Sequence, residues 1–154
     1  MRDKLKAASF NQSQITDASH LVVFANFIEY KPQYIDEYIF KTAETRNLNI
    51  ENIKGYGEFI KRVLLNQPTN DVQNWSAKQT YIALTNLVNA AAELKIDVSP
   101  MEGFESEKVN EILNLTSQNL NAVLLAPIGY RAIDDETQYL PKIRKSNQDL
   151  FIEI

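Results

Sequence analysis

The sequence predicts an α+β fold, strands and helices packed around one long buried helix, and three features of the chain carry this expectation. Two short runs, His20 to Asn26 and Ala122 to Ala126, are apolar and rich in β-branched or aliphatic residues, as buried strands are. Elsewhere apolar residues recur at helical spacing. From Ser76 to Ile96 they form two stripes, Ala77, Tyr81, Leu84, Val88, Ala91 and Ala83, Leu87, Ala90, Leu94, so that helix must be covered on more than one side.

The elements follow in order. Arg2 to Ser9 reads as the last turns of a helix, with Leu5 and Ala8 on one face, and Phe10 to Ser13 breaks the pattern. After the His20 strand, Ile35, Tyr38, Ile39 and Thr42 mark a helix from Gln33 to about Arg46. Ile53, Tyr56, Phe59, Ile60, Val63 and Leu64 mark another from Asn52 to Leu65. Gly55 and Gly57 weaken the first turn of the latter. A loop from Asp97 to Phe104 leads to a short helix, Glu107 to Asn114, through Val109, Ile112 and Leu113. Pro127 and Gly129 predict a bulge or an end to the second strand, because proline cannot donate to the ladder. Leu150 to Ile154 looks extended and in need of a sheet edge.

At 154 residues, 44% of them hydrophobic, the chain is expected to fold as a single domain over 1–154. Its 20 acidic and 16 basic residues are scattered, with no basic stripe for a phosphate backbone, so nucleic acid is not an expected partner. No cysteine is present, which excludes disulfides and thiolate chemistry and suits a cytoplasmic protein. No apolar run approaches the roughly 18 residues of a membrane helix, and no membrane association is expected.

The catalytic inventory is thin. His20 is the only histidine and has no cluster around it, so it reads as a strand-edge imidazole bonded to backbone. Asp134, Asp135 and Glu136 read as a solvated turn. Lys142 and Arg144, two apart in an extended segment, project to one face and suit a phosphate monoester, although such pairs are common on surfaces. Gly103, in Pro100-Met101-Glu102-Gly103-Phe104, would let the backbone approach a flat ligand, although glycine and proline are ordinary in turns.

Five blocks give these weak signals a setting: Trp75 to Tyr81 (WSAKQTY), Ala92 to Asp97 (AELKID), Pro100 to Phe104 (PMEGF), Pro127 to Tyr130 (PIGY) and Leu140 to Arg144 (LPKIR). With Phe10 to Phe24 upstream (FNQSQITDASHLVVF), they make the chain resemble the FMN-dependent nitroreductase family over nearly its whole length, which implies a nitroreductase-type fold with a mixed, mostly antiparallel central sheet flanked by helices. The resemblance implies that Asn11 and Gln14 approach the pyrimidine edge of the isoalloxazine, where a donor stabilises reduced flavin at N1 and O2. Relatives with lysine at the position of Gln14 would stabilise that charge more strongly. It implies that Pro100, Met101, Glu102 and Gly103 line the ring, with the Glu102 and Gly103 backbone near N5 and O4, and that Lys142 and Arg144 hold the phosphate. No catalytic side chain and no metal are implied.

The implied function is electron transfer from NAD(P)H through FMN to a nitroaromatic, quinone or similar small flat acceptor, in a cytoplasmic homodimer. Dimerisation would use the doubly striped helix and the tail. Family members begin with an Arg-x-Ser-x-Arg helix and a flavin-contacting loop that have no counterpart here. The chain is short of a typical member by roughly 60 residues, so the fold is expected to be N-terminally truncated. The alternative is a truncated nitroreductase-like dimer with weak or no flavin binding and no enzymatic activity. A dehalogenase or flavin-destroying enzyme on the same scaffold is a third reading. Tyr38, Phe40, Tyr56 and Phe59 are assigned to core packing, with acceptor stacking as their other use.

Overall fold

The computed structural model describes residues 1–154. Seven helices surround a three-stranded sheet: α1 (Arg2–Ala8), α2 (Gln14–Asp17), α3 (Pro32–Arg46), α4 (Lys54–Leu64), α5 (Thr69–Glu93), α6 (Ser106–Leu113) and α7 (Asn147–Leu150), with β1 (His20–Phe27), β2 (Asp97–Val98) and β3 (Leu120–Gly129). The strand order is β1-β3-β2, and both pairings are antiparallel.

β3 lies at the centre because it is the most apolar strand. Ala122, Leu124, Leu125 and Ala126 are at most 2% exposed, as a strand covered on both faces must be. Its two faces feed two cores. Leu125 and Ala122 join Leu5, Ala8, Ile15, Met101 and Val109 beneath α1 and α6, while Leu124 and Ala126 pack with Leu84 of α5. A third cluster, Ile35, Ile39, Leu64 and Val72, holds α3 and α4 to the start of α5.

β3 ends at Gly129, one of the two residues expected to close it, while Pro127 neither bulges nor ends the strand. It pairs with Leu21, its carbonyl accepts from the Ser99 N–H at 3.0 Å, and β3 continues to Gly129; the irregularity falls between Phe24 and Ala25, opposite Val123. Gly57, expected to weaken the first turn of α4, has a packing use there. A Cβ there would stand 2.8 Å from Ile39 Cγ1, so glycine is what lets α4 close on α3. Asparagine supplies the left-handed caps: Asn47 ends α3 at φ 51° and Asn114 ends α6 at φ 52°.

The long helix begins at Thr69, seven residues earlier than the apolar stripes mark it, because its first two turns are polar. It buries one face, Val72, Ser76, Thr80, Leu84 and Ala91, while Ala83, Ala90 and Leu94 of the second stripe are exposed in the single chain. Tyr38, Phe40, Tyr56 and Phe59 are also exposed, not packed in the core; each is at least 50% accessible, since α3 and α4 turn Ile35, Ile39 and Leu64 inward instead. The tail has no sheet partner: Leu150 closes the single turn of α7, and Phe151 to Ile154 are exposed.

Leu125 is fully buried, so Leu125→Ala should cost about 2–5 kcal/mol through lost burial and the cavity left behind. Urea unfolding should show the midpoint falling with an unchanged slope.

Candidate functional site

Beyond β2 the chain runs alongside β3 once more. The Met101 N–H donates to the Leu125 carbonyl at 2.8 Å, and the Leu125 N–H returns a bond to Met101 at 3.0 Å. These bonds fix Met101, itself 5% exposed, against the most buried strand and leave Glu102 and Gly103 at the surface. Each of these two is then held by a different element. The Tyr81 hydroxyl on α5 donates to Glu102 Oε1 at 2.7 Å, and Gln12 Nε2 donates to the Gly103 carbonyl at 2.8 Å. The bond to Glu102 stabilises the neutral phenol and raises the Tyr81 pKa above its ordinary value.

Gln12 belongs to the turn between α1 and α2, whose backbone is unusual. Phe10 and Asn11 both have positive φ, 53° and 59°, a conformation that costs a non-glycine residue about 1–2 kcal/mol. The Asn11 N–H caps α1 by reaching the Lys6 carbonyl at 3.0 Å, and Arg2 binds the carbonyls of Thr16 and Ala18 to hold α1 against α2. Strained backbone of this kind clusters at ligand sites, and here it leaves Phe10 63% exposed beside Gly103. A Cβ on Gly103 would come within 3.1 Å of Gln12 Nε2, so the glycine keeps this approach open.

Gln14 Nε2 donates to Gln12 Oε1 at 3.1 Å and extends the network into a cleft of about 460 Å³. Gln14 and Ser13 line one side, the β2 and β3 ends another, and the segment from Tyr130 to Lys142 the third. Across it, Arg131 grips Asp97 by two bonds, Nε to Oδ2 at 2.5 Å and Nη2 to Oδ1 at 2.8 Å. That fork holds the Asp97 carboxyl below the usual aspartate range. Asp135, also on the cleft, caps the turn from Glu136 to Tyr139 through Thr137, whose hydrogen bond lowers its pKa as well.

The structure therefore brings Gln14 and Lys142 to one cleft and Met101 to Gly103 onto Gln12. Asn11 and Pro100 are exposed on the flanking turns. Arg144 does not line the cleft; its Nη1 donates to the carbonyl of its neighbour Ile143. His20 is exposed at the start of β1. Gln12, Tyr81, Asp97 and Arg131 escaped the sequence reading. Their partners lie 91, 21 and 34 positions away, and no spacing rule links them.

No helix is long and apolar enough to cross a membrane, and no group of three histidine, cysteine or carboxylate side chains is placed to hold a metal. The Nitroreductase family model matches residues 2–130. The Major NAD(P)H-flavin oxidoreductase of Aliivibrio fischeri is 31% identical over 92% of this chain and 66% of its own length. The Oxygen-insensitive NAD(P)H nitroreductase of Salmonella typhimurium is 25% identical over 95% of this chain and 69% of its own. A nitroreductase-type protein of Exiguobacterium sibiricum, solved in complex with FMN, superposes with a TM-score of 0.80 at 21% identity, covering 99% of this chain and 71% of that one. The fold is that of the nitroreductases. The chain belongs to the nitroreductase family.

Because Asp97 has a depressed pKa in the folded protein, its contribution to stability is present above the ordinary aspartate range and is lost as pH falls through the folded value. Carboxyl NMR titration should place Asp97 below ordinary aspartates in the parent protein and return it toward them in Arg131→Met.

Proposed function

We propose that this chain is an FMN-dependent oxidoreductase that moves electrons from NAD(P)H to a small flat acceptor such as a nitroaromatic or quinone. Membership in the family, with relatives named NAD(P)H nitroreductase and NAD(P)H-flavin oxidoreductase, makes it an NAD(P)H-dependent flavin oxidoreductase. The observation that supports FMN is the continuous run of contacts from Gly103 through Gln12 to Gln14 and on to the cleft bearing Lys142. The cleft volume is within the roughly 300–1,000 Å³ of small-ligand sites.

The residues present fit the group. Gly103 is exposed, its missing Cβ taken up by the Gln12 amide, and beside it the exposed Phe10 offers an aromatic surface to a planar ring. Gln14 offers a neutral amide and Lys142 a cation, and the cleft's carboxylates Asp17, Asp97 and Asp135 are engaged by Thr16, Arg131 and Thr137. Bound FMN would supply the redox chemistry, taking reducing equivalents from NAD(P)H and giving them to the acceptor.

The chain's own part is to bind and orient. Met101, Glu102 and Gly103 would line the ring, the Met101 backbone held by Leu125, the Gly103 carbonyl by Gln12 and the Glu102 side chain by Tyr81, so that little ordering remains on binding. Asn11 and Gln14 would meet the pyrimidine edge, where amide donors favour the reduced ring. Lys142, joined by Arg144 when it leaves the Ile143 carbonyl, would hold the phosphate. No side chain need exchange a proton with substrate, which agrees with the exposed, isolated His20.

The working unit is a homodimer in this reading. Ala83, Ala90 and Leu94, with Ile82 beside them, form an exposed apolar stripe along α5 that a second copy would cover.

Purified protein should be yellow, bleach on adding NAD(P)H, regain colour with a quinone or nitroaromatic, and sediment at twice the chain mass of 17.6 kDa. Lys142→Ala with Arg144→Ala should weaken FMN binding at least tenfold, since each charge-assisted bond is worth about 1.5–3 kcal/mol. A colourless protein that binds no added FMN would overturn the reading and leave a dimer without flavin chemistry.

A further inference from the structure

The last 25 residues, Tyr130 to Ile154, are joined to the rest of the fold by very little. Their backbone and side-chain hydrogen bonds are internal: Asp135 caps Thr137, Gln138 returns to the Asp135 carbonyl, and Ser146 caps Asp149. No residue of the segment is fully buried, and only Asp135 and Gln138 are even half-buried. The bonds that leave it are the two from Arg131 to Asp97, and the same two residues form its single ion pair to the body.

This pair sits at a particular place. Asp97 opens β2, where it is paired with Gly129, so its backbone is fixed by the sheet. Arg131 is two residues beyond the end of β3, at the root of the loop that carries Lys142. Asp97, Arg131, Asp135 and Lys142 all line the same cleft as Gln14. A planar guanidinium held at two nitrogens by one carboxylate fixes direction as well as distance, which a lysine in its place would not do. Exposed ion pairs ordinarily contribute little to stability, so the value of this one lies in where it points the loop.

We propose that the Asp97–Arg131 pair is the device that aims the Lys142 segment at the cofactor's phosphate end, so that both are positioning residues for FMN although neither touches it. The proposal rests on the FMN reading above. Untethered, the segment samples many directions, and Lys142 meets the phosphate only after that freedom is lost. The ring end, held by Met101 to Gly103 and Gln12, has no bond to this segment and does not feel the change.

The test compares FMN with riboflavin, which has the ring and lacks the phosphate, using fluorescence quenching on the intact protein. Asp97→Asn and Arg131→Met should each weaken FMN about tenfold and riboflavin less than threefold, which removes most of the preference for FMN. Circular dichroism and urea unfolding should show both variants folded. Equal loss of both ligands would make the pair a general structural contact, and unchanged FMN affinity would make it idle; either result overturns the proposal. Tighter FMN binding by Asp97→Asn would also overturn it, because Arg131 would then be a phosphate ligand that Asp97 restrains. If the parent protein binds neither flavin, the underlying FMN reading fails instead.

Discussion

Two hydrogen bonds between Met101 and Leu125 carry the rest of the site. Leu125 is fully buried in the central strand, and its position is settled by the core beneath α1 and α6. By pairing with it, Met101 transmits that rigidity to a surface turn that would otherwise be as mobile as any loop. Glu102 and Gly103 then need one bond each, from Tyr81 and Gln12, to be fixed on both sides. The strand, the long helix and the first turn of the chain thus converge on three consecutive residues. A surface edge built in this way is organised before anything binds.

The two ends of the proposed flavin site differ in how they are made. The ring end is part of the sheet's own hydrogen bonding and shares the stability of the core. The Lys142 end hangs from one exposed guanidinium–carboxylate fork on β2. Its energetics are those of a surface ion pair, weakened by salt and by acid, while the Met101–Leu125 bonds at the ring end are anchored in the buried central strand. At the ring end Phe10 and Asn11 are two consecutive residues in left-handed backbone, in a turn held by α1, Arg2 and the buried Ile15.

Much of this was legible in the chain. His20 to Asn26 and Ala122 to Ala126 announced two strands because unbroken apolar runs have few other uses, and the Ile35–Ile39 and Val109–Ile112–Leu113 spacings announced helices. Periodicity failed where side-chain chemistry did not vary with burial. The polar start of α5 hid its first two turns, and the aromatics Tyr38, Phe40, Tyr56 and Phe59 read as core when α3 and α4 bury aliphatics instead. Gly57 read as a weak point in the first turn of α4 because the sequence does not reveal that Ile39 occupies the space a Cβ would take. In the site, the family blocks pointed to Gln14, Gly103 and Lys142, but Gln12, Asp97 and Arg131 act through partners far off in sequence, which only the folded register reveals.

The central claim is that the Met101–Gly103 edge, the Phe10–Gln14 turn and the Lys142 segment face one ligand. Hydrogen exchange with and without FMN tests it most directly, since one bound molecule would slow all three together. The account predicts added protection at residues 101–103, 11–14 and 140–144 at a common FMN concentration, with Leu125 slow in both states. Protection at only one of the three, or confined to α3 and α4, would contradict it.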